Sequence, residues 1–256
     1  MPGMTVANPA VRDISVFFPC YNDEQSIGRM VTTVHATLDR LGIPHDITVV
    51  DDASSDGSLG VLRELAASIP ELSIVAHPVN RGYGGALLSG LAHAKRQWVF
   101  YTDGDAQYDP SEIAQLVELA SDDVDVVQGY KIRRGDSFKR KVIGRVYHHT
   151  VAFFFGLHLR DVDCDFRLMR RTVLDEVELT NESGVICVEL MLGLQNAHAR
   201  IVQTPVSHHP RPYGRSQFFQ TRRIARSLYD LALLWLSHVL TPKLRRLTSR
   251  ARRAER

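Results

Sequence analysis

Asp103-Gly104-Asp105-Ala106-Gln107 follows directly on the apolar run Trp98-Val99-Phe100-Tyr101-Thr102. Such a run reads as a short strand, and in an extended chain residues i and i+2 point to the same side. Asp103 and Asp105 therefore converge on one space at the strand's carboxyl end, and the small Gly104 would let a bulky ligand approach the backbone. Two carboxylates so placed suit a hard cation, because Mg²⁺ takes few protein carboxylates and completes its shell with phosphate oxygens and water. The chemistry is that of a metal–diphosphate site. Most Asp-Gly-Asp tripeptides are only polar turns, but a second acidic strand end shifts the balance. Ile47-Thr48-Val49-Val50 runs into Asp51-Asp52, then Ala53-Ser54-Ser55-Asp56-Gly57-Ser58. Two strands that open into carboxylates and turn residues fit an open α/β sheet, whose ligands gather beyond the carboxyl ends of its strands.

The elements that must position these residues follow from hydrophobic patterning. Strands are expected at 14–18, 47–50, 72–75, 98–102 and 124–129, and helices at 24–41, 58–67, 83–95 and 110–120. The last of these starts with Asp109, Pro110 and Glu112, as helix N-termini prefer. Strands alternating with helices through short connections imply βαβ units and a mostly parallel sheet flanked by helices. After Tyr130 the rhythm breaks. A loop is expected at 131–136, an aromatic helix at 142–159 containing Phe153-Phe154-Phe155, a charged segment at 161–171, and a helix or strand at 185–194. On this reading residues 1–216 form the catalytic domain, with a nucleotide-binding half at 13–130 and an acceptor half at 131–216. An amphipathic helix and basic tail follow at 217–256.

Composition is that of an ordinary globular protein, with 44% hydrophobic and 23% charged residues among 256. The three cysteines, Cys20, Cys164 and Cys187, show neither disulfide framework nor metal-ligand spacing, which points to a reducing compartment. Residues 1–12 carry neither a basic nor an apolar leader region, which argues against secretion. The net charge of +2 conceals an asymmetry: the last sixteen residues hold seven basic side chains against the single acid Glu255. Arg211, Arg215, Arg222, Arg223 and Arg226 make a second basic stretch. Between the two blocks lies an apolar segment at 228–240, shorter than the ~20 residues a membrane span needs. It reads either as a core helix or as an interfacial helix whose flanking arginines meet anionic headgroups. The histidine pairs His148-His149 and His208-His209 have no metal-ligand companions at helical spacing and read as surface or interface residues.

Six short motifs occur in order: Phe18-Pro19-Cys20-Tyr21-Asn22-Asp23-Glu24, Val49-Val50-Asp51-Asp52 with the serine-rich turn, Asn80-Arg81-Gly82-Tyr83-Gly84-Gly85-Ala86, Asp103-Gly104-Asp105-Ala106-Gln107, Asp163-Cys164-Asp165-Phe166-Arg167, and Gly214-Arg215-Ser216. Together they resemble the family 2 inverting glycosyltransferases of GT-A fold, particularly the polyprenyl-phosphate, dolichol-phosphate-mannose-synthase-like branch. The resemblance spans residues 16–218. It implies that Pro19, Tyr21, Asp23 and Asp51 or Asp52, with Asp103, Gly104 and Asp105, bind the nucleotide-sugar. It implies further that Asp103, Asp105 and Gln107 hold Mg²⁺ or Mn²⁺, and that Lys131, Arg145 and Arg215 grip an acceptor phosphate. Lysine at 131 departs from the arginine usual in the family and gives up bidentate contact. Asp105, Arg145, Arg215 and Asp165 would be the catalytic groups, Asp165 either as a base toward a hydroxyl acceptor or as an ion-pair partner of Arg167. The glycines of 80–86 serve either close approach to the donor or helix–sheet packing.

The function expected is inverting, metal-dependent transfer of a sugar from a GDP- or UDP-linked donor to a polyprenyl phosphate. The enzyme would be peripheral at the cytoplasmic inner face of an anionic membrane, held there either by its own helices and tail or by a separate membrane-anchoring protein, and no nucleic acid is implied. A lipid phosphate is already ionised and needs cations around it, whereas a hydroxyl acceptor needs a general base. The rivals are therefore a soluble family member acting on a sugar hydroxyl, or a non-catalytic membrane or nucleic-acid binder that keeps the fold.

Overall fold

A computed structural model describes residues 8–132, 138–213 and 221–241, and side chains within these spans apart from 138–143 and 221–224. Arg215, Gly214, Ser216 and the basic tail from 242 onward lie outside the described residues.

The described chain forms a seven-stranded sheet in the order β3-β2-β1-β4-β6-β5-β7. Its strands are β1 (Ile14–Cys20), β2 (His45–Asp51), β3 (Leu72–Ala76), β4 (Trp98–Thr102), β5 (Val126–Ile132), β6 (Phe166–Arg170) and β7 (Ile201–Ser207). All run parallel except β6, which is antiparallel to β4 and β5 on either side. The β1 residues are buried throughout and read as one apolar run, as a central parallel strand covered on both faces must. Alternation still divides its side chains: Val16 and Phe18 face one core cluster, Phe17 the other. The first cluster is closed by α1 (Ile27–Leu41), α2 (Ser58–Ala66) and α4 (Ile113–Leu119), the second by α3 (Gly82–His93), α5 (Phe138–Phe155), α6 (Arg171–Leu174) and α7 (Ile186–Asn196). From α8 (Thr221–Trp235), Leu234 reaches the second cluster, and Trp235 Nε1 donates to the Phe154 carbonyl at 3.0 Å.

The five strands and four helices expected before residue 130 are present, with ends shifted by a few residues. Past that point the charged segment proves to contain β6, a buried central strand, and residues 201–207 add the edge strand β7. The segment left open between helix and strand is the helix α7, and its apolar residues are buried on nearly every side.

In the 80–86 loop, Gly84 serves packing. Gly84 N donates to the Glu182 carbonyl at 3.0 Å, and a Cβ at Gly84 would stand 2.4 Å from the Glu182 carbonyl carbon. Gly84→Ala is therefore expected to cost about 1–3 kcal/mol, the usual penalty for overpacking. Thermal unfolding checks this, and an unchanged melting temperature would refute it.

Candidate active site

The strand order places the topological switch between β1 and β4, where a crevice opens beyond their carboxyl ends. Tyr21 and Asp23 leave β1 on one side of it, and Asp103 and Asp105 leave β4 on the other. The backbone around this crevice is held in unusual conformations. Asn22, Ala53 and Ala106, the non-glycine residues just past β1, β2 and β4, have φ of 56°, 59° and 58°. Non-glycine residues in the left-handed region carry strain that surrounding structure must hold, and such strain collects at functional sites. The holding bonds are explicit. Asn22 Oδ1 accepts from Ser55 N at 2.8 Å, Asn22 N donates to Ser54 Oγ at 3.0 Å, and Asp23 N donates to Ser58 Oγ at 3.0 Å.

Asp105 is buried, and its Oδ1 accepts from Gln107 N at 3.0 Å. Burial pushes its carboxyl up to about 6, against the opposing pull of the Arg211 guanidinium. Asp103 is half-buried with Oδ1 shielded from solvent, and no hydrogen bond reaches that oxygen. Burial, then the nearby charges of Asp165 and Asp105, raise its pKa well above the usual carboxylate range. A buried carboxylate oxygen without a donor is costly unless a ligand supplies the missing charge. All side-chain donors here are oxygens, the set that Mg²⁺ and Mn²⁺ prefer. Asp103 and Asp105 thus fit a hard divalent cation. Gln107 lies alongside, its Nε2 donating to the His209 carbonyl at 3.2 Å.

Arg211 sits where the basic-stretch reading did not foresee it. Its Nη2 lies 2.6 Å from Asp23 Oδ1 and its Nη1 3.7 Å from Asp105 Oδ2, so one guanidinium spans both walls of the crevice. Burial raises the Asp23 pKa, and Arg211 opposes the rise. The segment carrying Arg211 is brought in by a strand-like bridge between Tyr108 and His208, and by His209 N donating to the Gln107 carbonyl at 2.7 Å. His208, of a pair read as surface or interface residues, is accordingly buried, its ring edge-on to Tyr108 at 5.1 Å. Pairing across a hundred residues leaves no local signal that could have announced it.

The other expected residues separate by their partners. Asp51 is buried with Oδ1 unpaired, whereas both oxygens of Asp52 are engaged. Asp52 Oδ1 accepts from Arg81 N at 2.8 Å and lies 2.7 Å from His77 Nδ1, and its Oδ2 accepts from Gly82 N at 2.8 Å. Asp52 caps the start of α3, which leaves Asp51 as the one of the pair with a carboxylate oxygen lacking a donor. Pro19 is enclosed within β1, and its carbonyl accepts from Gly104 N at 3.3 Å. Gly104 itself faces inward: an added Cβ would meet Ile27 Cδ1 and the Pro19 carbonyl oxygen, each at 3.0 Å. Its small size joins the β1 and β4 exits and does not make room for a ligand.

On the far side, Lys131 is turned into the protein, donating to the Asp163 carbonyl with the Asp161 carboxylate 3.9 Å away. Burial disfavours its charge, but Asp161, Asp163 and Asp165 outweigh that and raise its pKa. An ammonium so engaged does not reach out to an acceptor. Arg145 is exposed on α5. Asp165 and Arg167 are brought together at 3.4 Å, and of the two it is Arg167 that is wholly buried. Arg167 Nε donates to Gln128 Oε1 at 2.7 Å, Nη2 to the Val162 carbonyl at 2.6 Å, and Nη1 to the Tyr101 hydroxyl. Tyr101 and the Cys187 thiol then donate to Asp165 Oδ1 at 3.3 and 3.2 Å.

A mostly parallel sheet with acidic strand exits at its switch point is the frame of the GT-A glycosyltransferases. Comparison with known proteins bears this out: residues 15–178 match the family described as glycosyl transferase family 2. This chain belongs to glycosyl transferase family 2 and is a glycosyltransferase. It is 31% identical over 227 residues to the undecaprenyl-phosphate 4-deoxy-4-formamido-L-arabinose transferase of Aeromonas hydrophila, covering 88% of this chain and 68% of that protein. The same-named transferase of Sodalis glossinidius is 33% identical over 221 residues, covering 85% and 66%. The chain thus spans about two thirds of the length of these relatives. Among solved structures, glucosyl-3-phosphoglycerate synthase from Mycobacterium tuberculosis, with Mn²⁺, UDP-glucose and phosphoglyceric acid, superposes with a TM-score of 0.67 at 20% identity, over 93% of this chain and 85% of that one. A mannosyltransferase from Pyrobaculum calidifontis with GDP-mannose and Mn²⁺ superposes with a TM-score of 0.61 at 20% identity, over 90% and 66%.

Proposed function

We propose that this chain is an inverting glycosyltransferase that moves a sugar from a nucleoside-diphosphate donor to a polyprenyl phosphate, using a divalent cation such as Mg²⁺ or Mn²⁺. The observation that carries the proposal is the pair Asp103 and Asp105 at the switch point, with the Asp103 and Asp51 Oδ1 atoms buried and lacking donors. Asp103 and Asp105, with Gln107 beside them, would hold the cation. Bound there, it would neutralise the charge of the departing nucleoside diphosphate. Asp51 would accept from a ribose hydroxyl or base N–H, beside Tyr21. Arg211 holds Asp23 and Asp105 together without the cation and gives way to the donor complex. The curated relatives' names supply the acceptor class, and 13–130 and 131–216 serve as donor and acceptor halves.

A phosphate acceptor is already ionised and needs cations beside it. Arg145 is exposed for that role, Arg215 is the companion the motif order supplies, and Lys131 is confined to holding the 161–163 turn. Asp165, bound by Tyr101, Cys187 and Arg167, lines the acceptor side. No helix among the described residues is long and apolar enough to cross a membrane. Phe153 and Phe154 on α5 and Leu228, Tyr229, Leu233 and Leu236 near the C-terminal end stand exposed, and Phe154 meets Trp235 edge-on at 6.2 Å, so both segments offer apolar side chains suited to lie on the cytoplasmic face of a bilayer.

Radiolabelled GDP- and UDP-sugars incubated with short-chain polyprenyl phosphate and Mn²⁺ in detergent test the proposal. An acid-labile labelled lipid formed from one donor is the expected result. Transfer only to an added sugar hydroxyl would overturn the acceptor assignment, and no transfer from any donor would overturn the donor assignment as well.

A further inference from the structure

At the opposite end of the sheet, away from the strands' carboxyl ends, His35, Asp39 and His45 come together where α1 hands over to β2. They are the one trio of His, Cys, Asp or Glu among the described residues whose ligand atoms all lie within 4.8 Å of one another. The chain builds the trio by local means. His35 and Asp39 are one turn apart on α1, and Gly42, at φ 66°, ends that helix so that His45 returns against its last turns as the first residue of β2.

The hydrogen bonds assign the ring nitrogens. His45 is buried and its Nδ1 lies 2.9 Å from the Ile43 carbonyl, which can only accept. His45 Nδ1 therefore carries the proton and Nε2 the lone pair. That lone pair points at His35 Nδ1, 2.9 Å away, with the two rings edge-on at 61°. A second ring nitrogen tied to a backbone carbonyl is how metal-ligating histidines are generally oriented. On the outer side, Asp39 Oδ2 approaches His35 Nε2 at 3.4 Å, and the Asp39 side chain is 60% exposed. The trio thus combines a pre-oriented buried imidazole, a half-buried second imidazole and a solvent-facing carboxylate. His35 Nδ1 and His45 Nε2 face one space, and the exposed Asp39 carboxylate, now beside His35 Nε2, has to swing across the ring edge to join them there.

We propose that His35, His45 and Asp39 form a second cation site, selective for a borderline transition-metal ion of the Zn²⁺ or Co²⁺ type. Two imidazoles and one carboxylate suit such ions, whereas Mg²⁺ and Mn²⁺ prefer the all-oxygen donors at Asp103 and Asp105. Ligand bonds of about 2.0–2.1 Å in a tetrahedron place two nitrogens about 3.3 Å apart. The imidazole nitrogens need to open by only a few tenths of an ångström from their hydrogen bond, with the His35 proton passing from Nδ1 to Nε2. The exposed Asp39 side leaves the fourth position to water. The ion ties the end of α1 to the start of β2, and neither element end belongs to the donor crevice.

The test is titration of Co²⁺ into the full chain carrying Asp105→Asn, which removes the donor-side cation from the signal. One equivalent with the strong visible absorption of tetrahedral cobalt is expected, displaced by Zn²⁺. His45→Gln and His35→Gln on that background should weaken binding by more than the roughly 10–100-fold that losing an outer-shell partner costs, and Asp39→Asn should weaken it by at least about tenfold. Asp39 is exposed, so its variant keeps the test open if a histidine variant fails to fold. Only the faint absorption of octahedral cobalt, or an affinity that Asp39→Asn and the histidine variants leave unchanged, would overturn the site.

Discussion

Asp105→Asn is expected to lower transfer about a thousandfold while the chain keeps its fold. The substitution preserves shape and the acceptor oxygen facing Gln107 N, but removes one of the two charges that would hold the cation. Charge stabilisation by a metal in a transferring site amounts to several kcal/mol. A loss of about 4 kcal/mol corresponds to three decades in rate. Turnover with a radiolabelled donor and Mn²⁺ affinity by calorimetry should fall together, with a melting temperature in the absence of metal that does not fall. Full activity in the variant would remove the cation from positions 103 and 105. Proton competition gives the same site a pH signature. A cation binds the ionised carboxylates, so Mn²⁺ affinity should climb as pH rises through about 6, the value to which burial brings Asp105. Burial raises the Asp103 pKa as well, so its protons oppose the cation in the same sense. For the metal-free chain the sign reverses. These acids hold protons more tightly folded than unfolded, where a carboxyl titrates near about 4, so their contribution to stability falls as pH rises from there through about 6.

The second large effect concerns stability. Arg167→Met should destabilise the protein by about 3–5 kcal/mol, the cost of removing one partner from a buried charged network. Arg167 is fully enclosed, and its loss strands the Val162 carbonyl, Gln128 Oε1 and Asp165 at once. For a chain of this length that is a fall of roughly 10 °C in melting temperature. Asp165→Asn placed on top of Arg167→Met should recover part of the loss, because the stranded carboxylate goes with it, and a double-mutant cycle measures the coupling. A drop of under 1 kcal/mol for the single variant, or strictly additive losses, would show that the network contributes little.

The same arginine explains where patterning stopped being informative. Phe166-Arg167-Leu168-Met169-Arg170 reads as part of a charged segment because two of its five residues are arginines, yet β6 is central and buried. A strand that buries a guanidinium with all its partners has no hydrophobic signature to find. β7 hid for another reason: Pro205 removes a backbone donor and argues against a strand. It is tolerated because β7 is the sheet edge and pairs only with β5. The donor half was legible because its strands are apolar and their exits acidic. Neighbouring carboxylates could not be told apart, since Asp51 and Asp52 differ only in which backbone N–H groups lie within reach. Arg211 and His208 depend on a bridge to Tyr108, and long-range pairing has no local pattern.

The capping of α3 by Asp52 bears on how the enzyme answers its surroundings. Many phosphate-binding folds carry a permanent positive pole in the exposed amides that start a helix. Here the Arg81 and Gly82 amides are already matched by an internal carboxylate. On the proposed function, the amides that start α3 are not free to receive a diphosphate, and that share of its charge is left to an imported mobile ion. Catalytic output would then follow the free divalent-ion concentration of the compartment, rising and falling with it at constant enzyme and donor.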